Sequence, residues 1–371
     1  MITITGNYSE AKIFTNQETI DNGSIGSITA LCNSPVFEEN RIRIMPDFHP
    51  GRGSVIGLST TFTDKIIPNI IGVDIGCGML VQKFRVNRRI EFQRLDSFIR
   101  QSIPNGRRIY ERPLPDYKNV DLDKLFCANH IQIDKAHRSI GTLGGGNHFI
   151  EIDKFGDDHY LIIHSGSRHL GVEIAEYYQT VAYSNCKGTA PYELSWLEGF
   201  DMKSYIHDAH IAEIFARVNR KTIAKRITSF MKFDVIDEFE TIHNYIDEEE
   251  KMIRKGAVSA KEGERIIIPI NASEGSLLCT GLGNEEWNNS APHGSGRKYS
   301  RLECRNNFTL STFKQSMKGV YSSSVKSSNI DECPNAYRNM NDIIEVIADR
   351  TVKIDQIIKP IYNFKEAEDI Q

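Results

Sequence analysis

The chain has 371 residues, 40 % apolar and 25 % charged, with a formal net charge of −4. It is long enough to bury one large core or two smaller ones, and its composition is that of a globular enzyme or binding protein. The charge neither requires nor excludes a polyanionic partner, because RNA binding needs only a local basic patch. No apolar run approaches the ~18 residues of a membrane span. The start, "MITITGNYSEAKIF", lacks the basic and apolar regions of a signal peptide. Seven cysteines, an odd number without C-x-x-C spacing, suit a reducing compartment, so a cytoplasmic protein with no membrane partner is expected.

In chain order, "RIRIMPDFHPGRGSVIGLSTTF" predicts a strand, a Pro/Gly loop and a second strand ending near Phe62. "NIIGVDIGCGML", residues 69 to 80, reads as a buried apolar strand that nevertheless carries Asp74 and Cys77. "GMLVQKFRV" and "HYLIIHSGS" predict further strands, each meeting a glycine-rich turn, and "VEIAEYYQTVAYSN" predicts a helix. Residues 203 to 232 give the longest helical pattern. Ile211, Ile214, Phe215 and Val218 recur at i, i+3, i+4 and i+7, and Arg217, Lys221 and Lys225 form a basic row that is either a solvated face or an RNA contact. "RIIIPI" and "SLLCTG" return to strand, "MNDIIEVIAD" to helix and "VKIDQIIKPIYNF" to strand. Helices and strands mix without regular βαβ alternation. The expected fold is therefore α+β, with mixed β-sheets flanked by helices in a single domain spanning residues 1–371. No fixed-period repeat or low-complexity segment is present, which excludes solenoids and propellers.

Four histidines stand where an apolar run meets a turn: His148 in "GTLGGGNHFIE", His164 in "LIIHSGSRHLG", His243 in "ETIHNYID" and His293 in "SAPHGSGRKYS". Any one of them is more often a hydrogen-bonded structural residue than a ligand. Asp74 could be a turn former, Cys77 a small core residue, and the glycines simply tight turns. Six such groups on junctions of one kind favour a shared pocket, and a buried carboxylate and thiolate need positive charge that divalent metals supply. Ligand softness favours zinc, while the carboxylate also suits manganese. "GGGNH" and "HGSGR", the latter with Arg297, offer backbone N–H groups for an anion. Neither is a P-loop or a dinucleotide fingerprint. A histidine within such a loop is a competent phosphoryl-transfer nucleophile.

Taken together, "MPDFHPGRG", "GVDIGCGM", "GTLGGGNHFIE", "HSGSRHLG", "HNY", "RKGA", "SAPHGSGR", "DECPNAY" and "KPIYNFK" resemble, in order, the motifs of the RtcB-type RNA ligases, over residues 41 to 365. The stretch "GLGNEEWNNSAPHGSGR" is similar to the shorter bacterial members. The resemblance implies a GTP- and manganese-dependent enzyme. It would join broken RNA ends, a 3′-phosphate or 2′,3′-cyclic phosphate to a 5′-hydroxyl, in RNA repair or tRNA splicing, and it leaves room for an activating protein partner. It implies one Mn2+ on Asp74, Cys77 and His148, and a second on Cys77, His164 and His243. His293 would carry GMP covalently. Asn147, His148, Glu151, Asn244, Asn271, Ser276, Gly294, Ser295, Gly296, Arg297, Tyr337 and Lys365 would lie about the nucleotide. One segment departs from the pattern: "IPINASEGSLL" stands where many relatives carry a Gly-Ser-Met-Gly-like turn, which bears on guanine contacts from Asn271 to Ser276. Two other classes compete with the ligase. One is a two-metal phosphodiesterase or phosphatase on the same scaffold, which would not need "HGSGR". The other is a non-catalytic RNA- or GTP-binding protein, for which a buried ligand set is costly.

Overall fold

The computed structural model describes residues 1–16, 20–86 and 88–366. Its main layer is a seven-stranded sheet in the order Asp234–Ile242, Gly78–Arg85, Asp158–Ser165, Phe149–Phe155, Val352–Lys365, Gly275–Gly281 and Arg265–Asn271. All its neighbouring strands are antiparallel. A six-stranded sheet runs Ile2–Thr5, Glu10–Ile13, Ile42–His49, Ile56–Thr61, Met252–Lys255 and Asn244–Asp247. Its single parallel pair is Glu10–Ile13 with Ile42–His49. The fold is α+β as expected, although only this second sheet is mixed.

Alternation explains the main sheet. Leu80, Phe84, Ile150, Ile152, Leu161, Ile163, Tyr362 and Phe364 point to one face, where Ile223, Ala224, Ile227 and Met231 of a helix cover them. Met79, Val81, Phe149, Tyr160, Ile162 and Ile358 point to the other. The covering helix, Gly199–Met231, has 33 residues and is about 50 Å long. Its first half packs Tyr205, Ala209, Ala212 and Phe215 against Leu170, Ile174 and Tyr178, in the core shared with the six-stranded sheet and the helix Arg168–Asn185.

Two sequence expectations change here. Residues 69 to 77 are not strand: the 3-10 turn Pro68–Ile70 is followed by bends, and the strand begins only at Gly78. Gly72 and Gly76 have φ of +91° and +73°, two left-handed turns of the backbone within five residues, and a Cβ on Gly76 would lie 2.7 Å from the Glu213 Cα. Ile214 is 45 % exposed and so lies off the apolar stripe, whereas Phe215 is fully buried. The basic row is compensated by acids. Arg217 donates to Glu240 (2.9 Å), Lys221 pairs with Glu238 (3.0 Å) and Lys225 with Asp116 (3.4 Å).

The two sheets meet at His243. The strand ending at Ile242 pairs with Gly78 of one sheet, and the strand beginning at Asn244 pairs with Lys255 of the other. The His243 backbone bridges the joint, its N–H donating to Cys77 O (2.9 Å) and its carbonyl accepting from Gly256 N (2.7 Å).

Candidate metal and nucleotide site

Strand ends and turns deliver the predicted groups to one place. Asp74 and Cys77 come from the turn before Gly78–Arg85, and His148 directly precedes Phe149–Phe155. His164 is penultimate in Asp158–Ser165, His243 sits at the sheet joint, and His293 follows Ser290–Pro292. Cys77 Sγ lies 3.4 Å from both His148 Nε2 and His164 Nε2. His164 Nε2 is 3.4 Å from His243 Nε2, and His148 Nε2 is 2.9 Å from Asp74 Oδ2. The rings continue to His293, 4.9 Å from His243 between centroids.

This donor set fits metal ions. His148 Nδ1 is 3.0 Å from Leu143 O and His164 Nδ1 is 3.1 Å from Asn147 O. Backbone carbonyls in those positions hold the proton on Nδ1 and leave the Nε2 lone pairs facing the sulfur. Two neutral imidazoles presenting Nε2 at 3.4 Å repel unless a cation or a proton lies between them. Burial and the neighbouring histidines hold both His164 and His243 well below the usual imidazole range, which keeps the rings neutral; their contact is then bridged either by a cation or by the single N–H of His243, whose Nδ1 has no hydrogen-bond partner. Burial, then Asp74, pushes the Cys77 thiol well up, although the Arg220 charge opposes this. A cation would reverse that balance and favour the thiolate. Burial also pushes the Asp74 carboxyl up, but with a proton on His148 Nε2 the hydrogen bond between them and the charges of His148 and Arg168 outweigh that push and bring it down to about 2; a cation there would take the place of that proton. Among the described residues, Cys77, His148 and His164 have ligand atoms within 4.8 Å of one another.

A second cluster adjoins the first. Tyr337 Oη and Lys365 Nζ both donate to Glu332, and Arg297 donates to Tyr337 Oη (3.1 Å) and Glu332 (3.4 Å). Burial disfavours the Glu332 charge, yet Lys365, Arg301 and Arg297 outweigh it and lower its pKa. The Lys365 ammonium lies 5.9 Å from the Phe149 ring centroid, and Phe149 in turn packs 5.2 Å from His164, so the clusters are contiguous. Glu151 lies on the same strand, accepting from Asn363 (2.6 Å), and burial raises its carboxyl to about 7. Behind it on that face, burial and Glu151 push Asp153 well above the carboxylate range.

The remaining predicted residues differ in how free they are. Ser276 Oγ is buried with no hydrogen-bond partner. Asn271 is occupied by its own turn, its Oδ1 accepting from Ser273 N (3.0 Å) and Glu274 N (2.9 Å). Asn244 braces the site, donating to Asp74 O (3.1 Å) and accepting from Gly256 N (2.9 Å). Asn147 presents an exposed side chain. Gly294 N donates to Asp47 Oδ2 (3.1 Å), Ser295 Oγ to Ile270 O (2.7 Å), and a Cβ on Gly296 would collide with the Asp47 carbonyl oxygen.

Asp47, Glu332 and Arg168 were not singled out in the sequence. Asp47, fully buried, sits 2.7 Å from His293 Nδ1. Arg168 donates to Thr142 Oγ1 (3.1 Å), in the loop that precedes His148, and to Gly106 O (2.7 Å), whose own N–H donates to Gly144 O of that loop (2.9 Å). Asp47 and Glu332 lie inside "MPDFHPGRG" and "DECPNAY", but nothing in those strings says which residue a distant histidine or lysine will meet.

Comparison with known proteins gives a consistent answer. The family model described as "tRNA-splicing ligase RtcB" matches residues 28–126 and 117–366. The chain is similar to the RNA-splicing ligase RtcB of Escherichia coli strain K12, 30 % identical over 364 residues that cover 84 % of this chain and 88 % of the relative. It is 28 % identical over 380 residues to the RNA-splicing ligase RtcB2 of Escherichia coli strain ATCC 25922, covering 94 % and 93 %. The tRNA-splicing ligase RtcB of Nanoarchaeum equitans is 25 % identical over 404 residues, covering 82 % and 83 %.

Proposed function

The chain belongs to the tRNA-splicing ligase RtcB family, and on that premise we propose that it is an RNA ligase dependent on GTP and two manganese ions. It joins an RNA 3′-phosphate or 2′,3′-cyclic phosphate end to a 5′-hydroxyl end. The observation that carries this reading is the unbroken run from Asp74 through Cys77, His148, His164 and His243 to His293. Asp74, Cys77 and His148 would hold one cation and Cys77, His164 and His243 the other, with the Cys77 sulfur shared. Such ions neutralise charge developing on phosphoryl oxygens and favour in-line attack.

Asp47 beside Nδ1 leaves the Nε2 lone pair of His293 as the nucleophile. Nε2 attacks the α-phosphorus of GTP, the bond to pyrophosphate breaks, and GMP remains on the ring. The RNA 3′-phosphate displaces the imidazole and takes the GMP. The 5′-hydroxyl then attacks that phosphate, losing its proton as GMP leaves. A cyclic end is first opened by water to a 3′-phosphate. Arg297, Tyr337, Lys365 and Glu151 hold the nucleotide with the Gly294–Gly296 backbone. Ser276, whose hydroxyl is unpartnered, contacts it more readily than Asn271. The seven thiols, all free, accord with a cytoplasmic location.

The test is incubation with α-labelled GTP and Mn2+. Label should survive denaturation and alkali, be lost in mild acid, and be absent from His293→Ala. Undiminished label on that variant would remove His293 from its role. No label on the wild type would favour the two-metal phosphodiesterase.

A further inference from the structure

Two neighbouring residues in the long helix touch all four segments that carry the donor side chains. Asn219 and Arg220 are both fully buried, in a helix whose other buried positions nearby are Phe215, Ala216, Thr222, Ile223 and Ala224. Asn219 Oδ1 accepts from Gly141 N (2.8 Å) and Thr142 N (3.0 Å), in the loop leading to His148. Its Nδ2 donates to Thr142 O (3.1 Å), and to Ser165 Oγ (3.0 Å) and Gly166 O (3.1 Å) just after His164. Arg220 Nη1 donates to Gly76 O and to Ser165 O, both at 2.7 Å. Arg220 Nε donates to Glu240 Oε1 (2.7 Å), three residues before His243.

These partners are placed with respect to the donors. Gly76 immediately precedes Cys77, and Ser165 immediately follows His164. One guanidinium nitrogen holds both carbonyls, so the two backbones cannot separate without breaking a charge-assisted bond in a dry environment. Burying a guanidinium and a carboxamide in mid-helix is costly, and apolar residues of similar volume would pack the same space at lower cost. Packing alone therefore does not account for the pair.

We propose that Asn219 and Arg220 are positioning residues that set the spacing of the Asp74–Cys77 turn, His148, His164 and His243 for cation binding. The proposal rests on the two-cation reading above. Its readout is binding of cobalt(II) by the metal-free full chain, followed through the thiolate-to-cobalt absorption band. The wild type should bind two cobalt ions and show the band. If it binds none, the two-cation reading fails and this proposal with it.

Arg220→Lys keeps the charge but cannot hold two carbonyls and Glu240 in the same fork. Asn219→Ala removes the link to the His148 loop. Both variants should keep the wild-type circular dichroism, bind cobalt about 10-fold or more weakly, and show a reduced or shifted band. If one variant unfolds, the other decides. Wild-type affinity and band in the folded variants would overturn the proposal. So would loss of the folded state in both, which would make the pair general supports of the chain.

Discussion

In the proposed reaction Asp47 selects which nitrogen of His293 acts. Its carboxylate lies 2.7 Å from Nδ1, close enough to pair but not aligned as a hydrogen bond, and accepts from Gly294 N, so one buried anion lies against both the ring and the backbone after it. An amide in that place can present its NH2 to the ring and hold the wrong tautomer. Asp47→Asn should therefore slow incorporation of label from GTP by about 100-fold or more while leaving cobalt binding near the wild-type level. Equal labelling rates would show that the ring is oriented by something else. Glu332 has a comparable position toward Tyr337, Lys365 and Arg297, as an anion that all three share.

The long helix shows where periodicity succeeds and where it misleads. The i, i+3, i+4 pattern locates the helix, but the stripe it implies includes Ile214 and omits Asn219 and Arg220. The true buried face is set by two different cores along its length, and it accepts polar residues where they meet loop backbone. Phe215→Ala should cost about 3–5 kcal/mol in urea unfolding, and Ile214→Ala no more than about 0.5 kcal/mol. Similar losses for both would restore Ile214 to the core. The basic row on the same helix is paired to Glu240, Glu238 and Asp116. Reversing Arg217, Lys221 and Lys225 should accordingly leave the salt dependence of RNA binding unchanged, and a flatter slope in binding titrations would return the row to the RNA surface.

On the scale of the whole molecule, the joint between the sheets carries a pH dependence. Glu213 of the long helix is half-buried, its backbone against Gly76, and its carboxylate accepts from Ile246 N (3.2 Å) of the six-stranded sheet. Burial raises its carboxyl to about 8 from an ordinary 4.5, although the Ile246 hydrogen bond and Arg217 pull it down. The folded state thus holds a proton that the unfolded chain releases above about 4.5. This group's contribution is complete below that pH and is lost progressively up to about 8, at no more than about 1.4 kcal/mol per pH unit. Glu213→Gln should gain stability over the wild type as pH rises from 5 to 8, measured as the difference in Tm. A pH-independent difference would mean that Glu213 does not titrate there.

The residues themselves determined the α+β class, the strands at 78–85 and 158–165, the long helix and the family, because alternation, helical period and ordered motifs are local properties. The clustering of Asp74, Cys77 and the four histidines was also readable, since titratable side chains at the ends of apolar runs stand out against their neighbours. Tertiary structure alone decided that residues 69 to 77 turn rather than extend, because the close approach of the Glu213 backbone at Gly76 belongs to another segment. It alone chose Asp47 for His293, Glu332 for Lys365, and Asn219 with Arg220 for the ligand loops. Each of these pairings closes a long loop, and which distant groups meet is settled by how the sheets and the helix pack.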